Sequence, residues 1–389
     1  MTDTLPTTPP LRVLVAPDSF KGSLEAHQVA AHIAAGIVQA LPGSVVTQAP
    51  IADGGEGTAR VVAGRLGGRW LGVSVADANG QTVELPFAVC ASAGLGEFAI
   101  FDVAEIVGLP AAVVPVQSRS TRGVGEALRA IHALGHRTIV IGLGGSSTND
   151  GGAGMLAELL LRFGDAGGAA MAPVLGTLDT IATVERRDDG AWLDQLTLIG
   201  LTDVNSPLTG PFGASQVFGA QKGVTDLAAA DALLGAFGQR ICAVLEQDEA
   251  QMSALPGAGA AGGLGFAVRA LGGTLQPGAR FILDALGLYD PAVRFDWVIT
   301  GEGRSDGQTL LGKGPAIVAE LARGRGIPVS LLSGAIEDDD SLFALFDGCF
   351  SVQAAPVSLQ YAMANAGPLL RTAAFNLTRL FVASRPATD

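Results

Sequence analysis

Five times along this chain a short apolar run of strand length gives way to a glycine-rich loop carrying acidic, basic or hydroxyl side chains. The loops are Pro-Asp-Ser-Phe-Lys-Gly-Ser (17–23), Ala-Asp-Gly-Gly-Glu-Gly-Thr (52–58), Gly-Gly-Ser-Ser-Thr-Asn-Asp-Gly-Gly (144–152), Thr-Asp-Val-Asn-Ser-Pro-Leu-Thr-Gly (202–210) and Thr-Gly-Glu-Gly-Arg-Ser-Asp-Gly-Gln-Thr-Leu-Leu-Gly-Lys-Gly (300–314). Strand, loop and helix in succession make a βα unit, and repeated βα units make a parallel sheet. In open parallel sheets ligands bind outside the carboxyl ends of the strands, so loops leaving several strands in one direction share a crevice. Glycine there lets backbone N–H groups face an anion without a Cβ in the way. A tight turn explains any one such loop; it does not explain polar residues gathering in all five.

The first unit sets the pattern. Residues 11–16 read as a strand, and 24–41 carry Val29, Ile33 and Ile37 at four-residue spacing behind Ser23 as N-cap. A strand over 45–49 and a helix over 58–66 follow. The runs 73–75 and 82–85 flank Asn79-Gly80, a hairpin signal in which both turn residues take positive φ. That hairpin interrupts the βα rhythm and marks a domain crossing. Further on come a helix over 124–134, a strand over 138–143, a helix over 153–163 and a strand over 196–201. The stretch 257–273 reads as a loop leading into a tightly packed helix. The alternation returns with strand 297–300, helix 315–322, strand 329–332 and a long helix over 359–383 that contains Pro368. The architecture expected is α/β in two domains: one built from both termini (1–80 and 290–389), with a second α/β domain (81–289) inserted.

Glycine makes up 54 of 389 residues, about double the roughly 7 % of ordinary proteins. There is no Gly-X-Y period and 48 % of the chain is hydrophobic, which excludes collagen and disorder. A formal charge of −13 argues against nucleic acid and anionic membranes as partners. The uncharged stretch 250–268 is broken by Pro256 and glycines and is no membrane span. Cys90, Cys242 and Cys349 lie too far apart in sequence for a disulfide framework or a metal motif. No signal-peptide pattern opens the chain, so a reducing, cytoplasmic setting is expected.

Lysine is rare. Of 24 basic residues only Lys21, Lys222 and Lys313 are lysine, each before a glycine, and two of them lie in the five loops. A compact ammonium suits a site beside a phosphate. The histidines, His27, His32, His132 and His136, all fall outside the loops, so a histidine triad or zinc cluster is not expected. What remains is carboxylates, hydroxyls, cations and amides, the inventory of Mg²⁺-assisted phosphoryl transfer. Two near-motifs are set aside. Gly307-x4-Gly312-Lys313 has Walker A spacing but Gly314 in place of the hydroxyl residue, and Gly257–Gly262 fits GxGxxG but follows a helical stretch rather than a strand.

With the run Gly-Leu-Gly-Gly-Ser-Ser-Thr-Asn-Asp-Gly-Gly (142–152) and Asp-Val-Asn-Ser-Pro-Leu (203–208) set beside the other three loops, the chain resembles the bacterial glycerate kinase family, class I type, over residues 11–380. Asp102 stands where that family's pattern has glutamate, and Gly314 where it has an apolar residue. The resemblance implies a flavodoxin/Rossmann-like domain, a second α/β domain and an active site between them. It implies ATP-dependent phosphorylation of D-glycerate at the 2-hydroxyl, with ATP and Mg²⁺ as cofactors; the sequence leaves the protein a monomer or homodimer. On that reading Ser19 and Lys21 hold the substrate carboxylate or the transferred phosphate, and Asp53 and Glu56 place substrate or metal. Gly144, Gly145, Ser146, Ser147, Thr148 and Asn149 cradle the ATP phosphates, while Arg304 and Lys313, and more weakly Lys222, neutralise their charge. Asp203 and Asp306 coordinate Mg²⁺ or take up the hydroxyl proton; spacing does not say which does which. The rival readings are phosphorylation at the 3-hydroxyl, a kinase of another small hydroxy acid or polyol, a nicotinamide-dependent oxidoreductase using 257–262, and a non-catalytic anion sensor.

Overall fold

The computed structural model describes residues 10–52, 54–55, 57–307, 309–311 and 313–385. Its strands in chain order are β1 (Arg12–Val15), β2 (Val45–Gln48), β3 (Arg69–Ala76), β4 (Thr82–Ser92), β5 (Gly96–Asp102), β6 (Thr138–Gly142), β7 (Leu161–Gly164), β8 (Thr183–Arg186), β9 (Thr197–Leu201), β10 (Thr274–Gln276), β11 (Trp297–Thr300), β12 (Arg304–Ser305), β13 (Val329–Ser333), β14 (Ala335–Ile336) and β15 (Gly348–Ser351). The chain forms two compact units: the residues to Ala52 together with those from Ala279 onward, and the residues between.

The unit built from both ends holds a five-stranded sheet, β15-β13-β11-β1-β2, with every neighbouring pair parallel. Counted within the unit the order is 2-1-3-4-5, that of flavodoxin. Its central strands bury side chains on both faces, as parallel sheets covered by helices must. Leu14, Val298 and Leu331 pack with Ile317 and Leu321 of the helix Gly314–Gly324. Val13, Val15, Trp297 and Ile299 pack with Val29, Ile33 and Ile37 of the helix Ala26–Ala40, and with Leu370 and Ala374 of Ala366–Ser384. Those two helices approach closely at Gly36, where a Cβ would lie 2.4 Å from the Arg371 carbonyl oxygen.

The other unit carries a six-stranded sheet, β10-β9-β6-β5-β4-β3. The four strands β10, β9, β6 and β5 are mutually parallel, and β4 and β3 add an antiparallel hairpin at one side. The helix Leu227–Leu245 has the length and composition of a membrane span. Asp226 caps it, and it buries Leu234, Phe237 and Ile241 in this unit's core.

Several details differ from the sequence reading. The units divide at Ala52/Asp53 and Gly278/Ala279 rather than at 80/81 and 289/290. The reason is β3, which pairs along its length with β4 and so belongs to the second sheet. The first long helix begins at Ala26, where Glu25 and Gln28 form a capping box; Ser23 Oγ instead donates to the Met363 carbonyl. In the hairpin only Gly80 has positive φ, because the Asp77 carboxylate accepts from the Asn79 and Gln81 amides and shapes a longer loop. The stretch 153–163 splits into a helix Ala153–Leu159 and the strand β7, since a short run of leucines satisfies either period. The terminal helix breaks into Leu359–Ala364 and Ala366–Ser384, which puts Pro368 in a first turn whose N–H groups have no helical partner. Strand β5 was not anticipated.

Candidate active site

All five glycine-rich loops leave the carboxyl ends of parallel strands: β1, β2 and β11 in the first unit, β6 and β9 in the second; the loop after β2 continues into the second unit. In the first unit the adjacency of β1, β2 and β11 brings three loop starts together. The Asp18 amide donates to the Gly301 carbonyl (2.8 Å) and the Ile51 amide to the Pro17 carbonyl (2.9 Å). Ser19 is half-buried and its N–H donates to Asp18 Oδ1 (2.6 Å); Lys21 is exposed. Gly303 lies against that turn, and a Cβ there would sit 3.4 Å from Phe20 Cα and 3.5 Å from the Lys21 nitrogen. Arg304, exposed on β12, pairs with Asp306 (3.7 Å) and with Glu337. Lys313 occupies the N-cap position of the helix Gly314–Gly324. Ser19, Lys21, Arg304, Asp306 and Lys313 are thus carried by strand-exit loops of one sheet. Gly314 has a packing reason, because a Cβ would meet Ile51 Cδ1 at 2.3 Å.

Glu302 was not singled out from the sequence, although it stands inside the 300–314 loop. Its carboxylate is buried and accepts from Thr309 Oγ1 (2.7 Å) and Ser305 Oγ (3.2 Å). Burial pushes its pKa up, against the opposing pull of those hydroxyls and of Lys313.

In the second unit the loops pack backbone to backbone. The Gly144 amide donates to the Gly54 carbonyl (3.0 Å), and a Cβ on Gly144 would lie 2.3 Å from Gly55 Cα. Gly54, at φ +74°, would place a Cβ 2.6 Å from the Leu201 carbonyl carbon. Only glycine allows three loops to stack this tightly. Asp53 and Glu56 lie outside the described residues. Ser147, Thr148 and Asn149 are fully buried. Ser147 Oγ, Thr148 Oγ1 and Asn149 Oδ1 have no hydrogen-bond partner among the described residues, while Asn149 Nδ2 donates to Ser215 Oγ (2.9 Å). Asp203 is half-buried, and its Oδ1 accepts from the Gly278 amide (2.9 Å) at the start of the helix Gly278–Ala285.

Two buried charged groups are unexpected in role. Asp102, at the end of β5, accepts from the Gly57 amide (2.9 Å) and the Ala59 amide (3.1 Å). It caps the helix Thr58–Leu66, whose own N-cap residue is a glycine. Burial raises its pKa to about 7 despite those bonds. Lys222 is no surface cation facing a phosphate. It is 4 % exposed, with Nζ on Ser146 Oγ (3.0 Å) and the Thr148 carbonyl (2.8 Å). Desolvation lowers its pKa to about 7, partly offset by Asp150.

No group of three or more histidine, cysteine or carboxylate side chains placed to hold a metal occurs among the described residues. The chemistry available is that of single carboxylates, a few cations, hydroxyls and amides at strand-exit loops.

Comparison with known proteins gives a consistent picture. A family model, the Glycerate kinase family, matches residues 13–382. The chain is 35 % identical over 376 residues to the glycerate kinase of Bacillus subtilis (strain 168), covering 94 % of this chain and 96 % of that one. It is 35 % identical over 337 residues to the glycerate 2-kinase of Escherichia coli (strain K12), covering 85 % and 87 %. A crystal structure described as glycerate kinase 2 from Salmonella typhimurium LT2 superimposes with a TM-score of 0.79 at 35 % identity, covering 96 % of this chain and 99 % of that one.

Proposed function

The chain belongs to the glycerate kinase family, and we propose that it transfers the γ-phosphoryl group of ATP to the 2-hydroxyl of D-glycerate, releasing 2-phosphoglycerate and ADP. One observation carries the nucleotide assignment. Three consecutive residues in a strand-exit loop, Ser147, Thr148 and Asn149, each bury a polar side-chain atom that has no partner among the described residues. Buried polar atoms are almost always paired, so such a row is matched by a polar ligand. Hydroxyls donate to phosphate oxygens, and Asn149 Oδ1 can accept from a nucleotide hydroxyl or amino group.

In this reading Ser19 and Lys21, with Asp53 and Glu56, hold glycerate and its carboxylate. Lys21, Arg304 and Lys313 offset phosphate charge. Asp203 or Asp306 accepts the 2-hydroxyl proton as the oxygen attacks phosphorus and the bond to ADP breaks. Mg²⁺ fits the residues present, because it is commonly held by one or two carboxylates plus substrate phosphates and needs no larger cluster. When bound, such an ion would supply charge neutralisation at the phosphates. Asp203 and Asp306 are the residues assigned to it. The enzyme works as a monomer or homodimer in the cytoplasm, where ATP is supplied.

The test is ADP release in Mg-ATP with a panel of small hydroxy acids and polyols. D-glycerate should give the highest kcat/KM. A higher value for another acid would reassign the substrate, and NADH binding without ADP formation would replace the kinase by an oxidoreductase.

A further inference from the structure

The loop 144–150 is gripped from the core by two cations. Lys222, the last residue of the helix Ala214–Lys222, donates to Ser146 Oγ and the Thr148 carbonyl. Arg119 Nη1 donates to the Ser147 carbonyl (3.0 Å) and to the carbonyl of Lys222 itself (2.9 Å). Successive carbonyls of the loop, those of Ser147 and Thr148, are therefore each fixed by an N–H donor of a buried basic side chain. Asp150, fully buried, accepts from the amide and hydroxyl of Thr121 (3.0 and 2.8 Å) and from the amides of Gly152 (3.0 Å) and Gly154 (3.3 Å). Ser215, on the same helix as Lys222, receives the Asn149 amide.

Burying an ammonium is costly, and a hydrophobic side chain of similar volume would fill the space with no such cost. What the ammonium adds is direction. It fixes which way the peptide units of the loop point, and with them the side chains whose polar atoms have no partner among the described residues. Preorganised donors lose little on binding a ligand because their ordering is already complete.

We propose that Lys222, backed by Arg119, is a positioning residue for nucleotide binding: it presets the 146–149 backbone so that the Ser147 and Thr148 hydroxyls are in place for a phosphate before ATP arrives. This rests on reading 144–150 as the nucleotide loop. Lys222 itself touches no ligand; it acts through the loop.

The experiment compares Lys222→Met and Thr148→Val with the wild type. It measures ADP affinity by calorimetry with Mg²⁺ present, KM for ATP and for D-glycerate, and thermal melting. Lys222→Met should weaken ADP binding by about tenfold or more, since an unset loop reduces the binding-competent fraction. Its KM for ATP should rise in step while KM for glycerate stays within about twofold. A folded Lys222→Met protein with wild-type ADP affinity overturns the proposal and leaves the lysine a stability element. If Thr148→Val weakens ADP binding and Lys222→Met does not, only the positioning role falls. If neither changes it, the assignment of the loop to the nucleotide falls as well. Should Lys222→Met not fold, hydrogen exchange of the wild type decides. ADP should slow exchange at 146–149 and at 219–224 together, and protection confined to the loop contradicts the proposal.

Discussion

Asp102 shows how one side chain can serve structure at a cost that depends on pH. Its carboxylate replaces the missing cap of the helix Thr58–Leu66, yet burial lifts its pKa from the ordinary carboxylate range to about 7. The folded protein then holds more protons than the unfolded chain between about pH 4 and pH 7, so this group's contribution makes stability fall as pH rises through that window. Asp102→Asn keeps an acceptor oxygen for the same amides and removes the titration. Its melting temperature should gain on the wild type's between pH 5 and pH 8; a wild type that gains on the variant over that range contradicts the burial argument. Asp203 and Asp306 are the carboxylates proposed to act in the chemistry rather than in the fold. Asp203→Asn and Asp306→Asn retain shape and an acceptor oxygen, so each should melt near the wild type while losing about a hundredfold or more in kcat. Near-normal turnover in both purified variants would remove them from the mechanism. Lysine scarcity drew attention to Lys222 as a cation beside phosphate, but its buried setting was illegible in the sequence. Lys-Gly looks the same at an exposed turn and at the buried end of a helix, and only the fold shows the helix Ala214–Lys222 driving its last side chain beneath residues 146–148.

At the scale of elements, the parallel strands and the loops that leave them were the most legible feature. Buried parallel strands such as Trp297–Thr300 are continuous apolar runs, and the glycines after them mark where the backbone turns tightly. Less legible was whatever depended on a partner distant in sequence. Strand β5 contains Glu97 and Asp102 and lacks a clean alternation; it is a strand because β4 and β6 flank it. The 153–163 run became helix and strand because β8 offers a pairing edge to its second half. The stacking of Gly54 and Gly55 on Gly144 is likewise a contact between distant segments. It predicts that Gly144→Ala, which drives a Cβ to 2.3 Å from the Gly55 backbone, destabilises the protein by about 1–3 kcal/mol. Chemical denaturation measures this, and an unchanged midpoint would mean the loops part without cost.

For the whole molecule, the sequence problem was to bind a polyanion with a chain of net charge −13. The five strand-exit loops carry only Lys21, Arg304 and Lys313 as cations beside a larger number of carboxylates, so on the proposed reading glycine amides and hydroxyls, rather than net charge, do most of the holding. Two of the three lysines, Lys21 and Lys313, stand on such loops of the flavodoxin-like sheet, and the third underpins a loop of the other sheet. The division into units was readable in outline, because chain ends that both carry βα units can complete one sheet. Its boundaries were not, since nothing local in 69–76 tells which sheet that strand joins. The reaction proposed for this arrangement is tested most directly by phosphorus NMR of the products formed from D-glycerate and Mg-ATP. ADP and 2-phosphoglycerate should form in equal amounts. Formation of 3-phosphoglycerate, or ATP left unchanged by the purified enzyme, would contradict it.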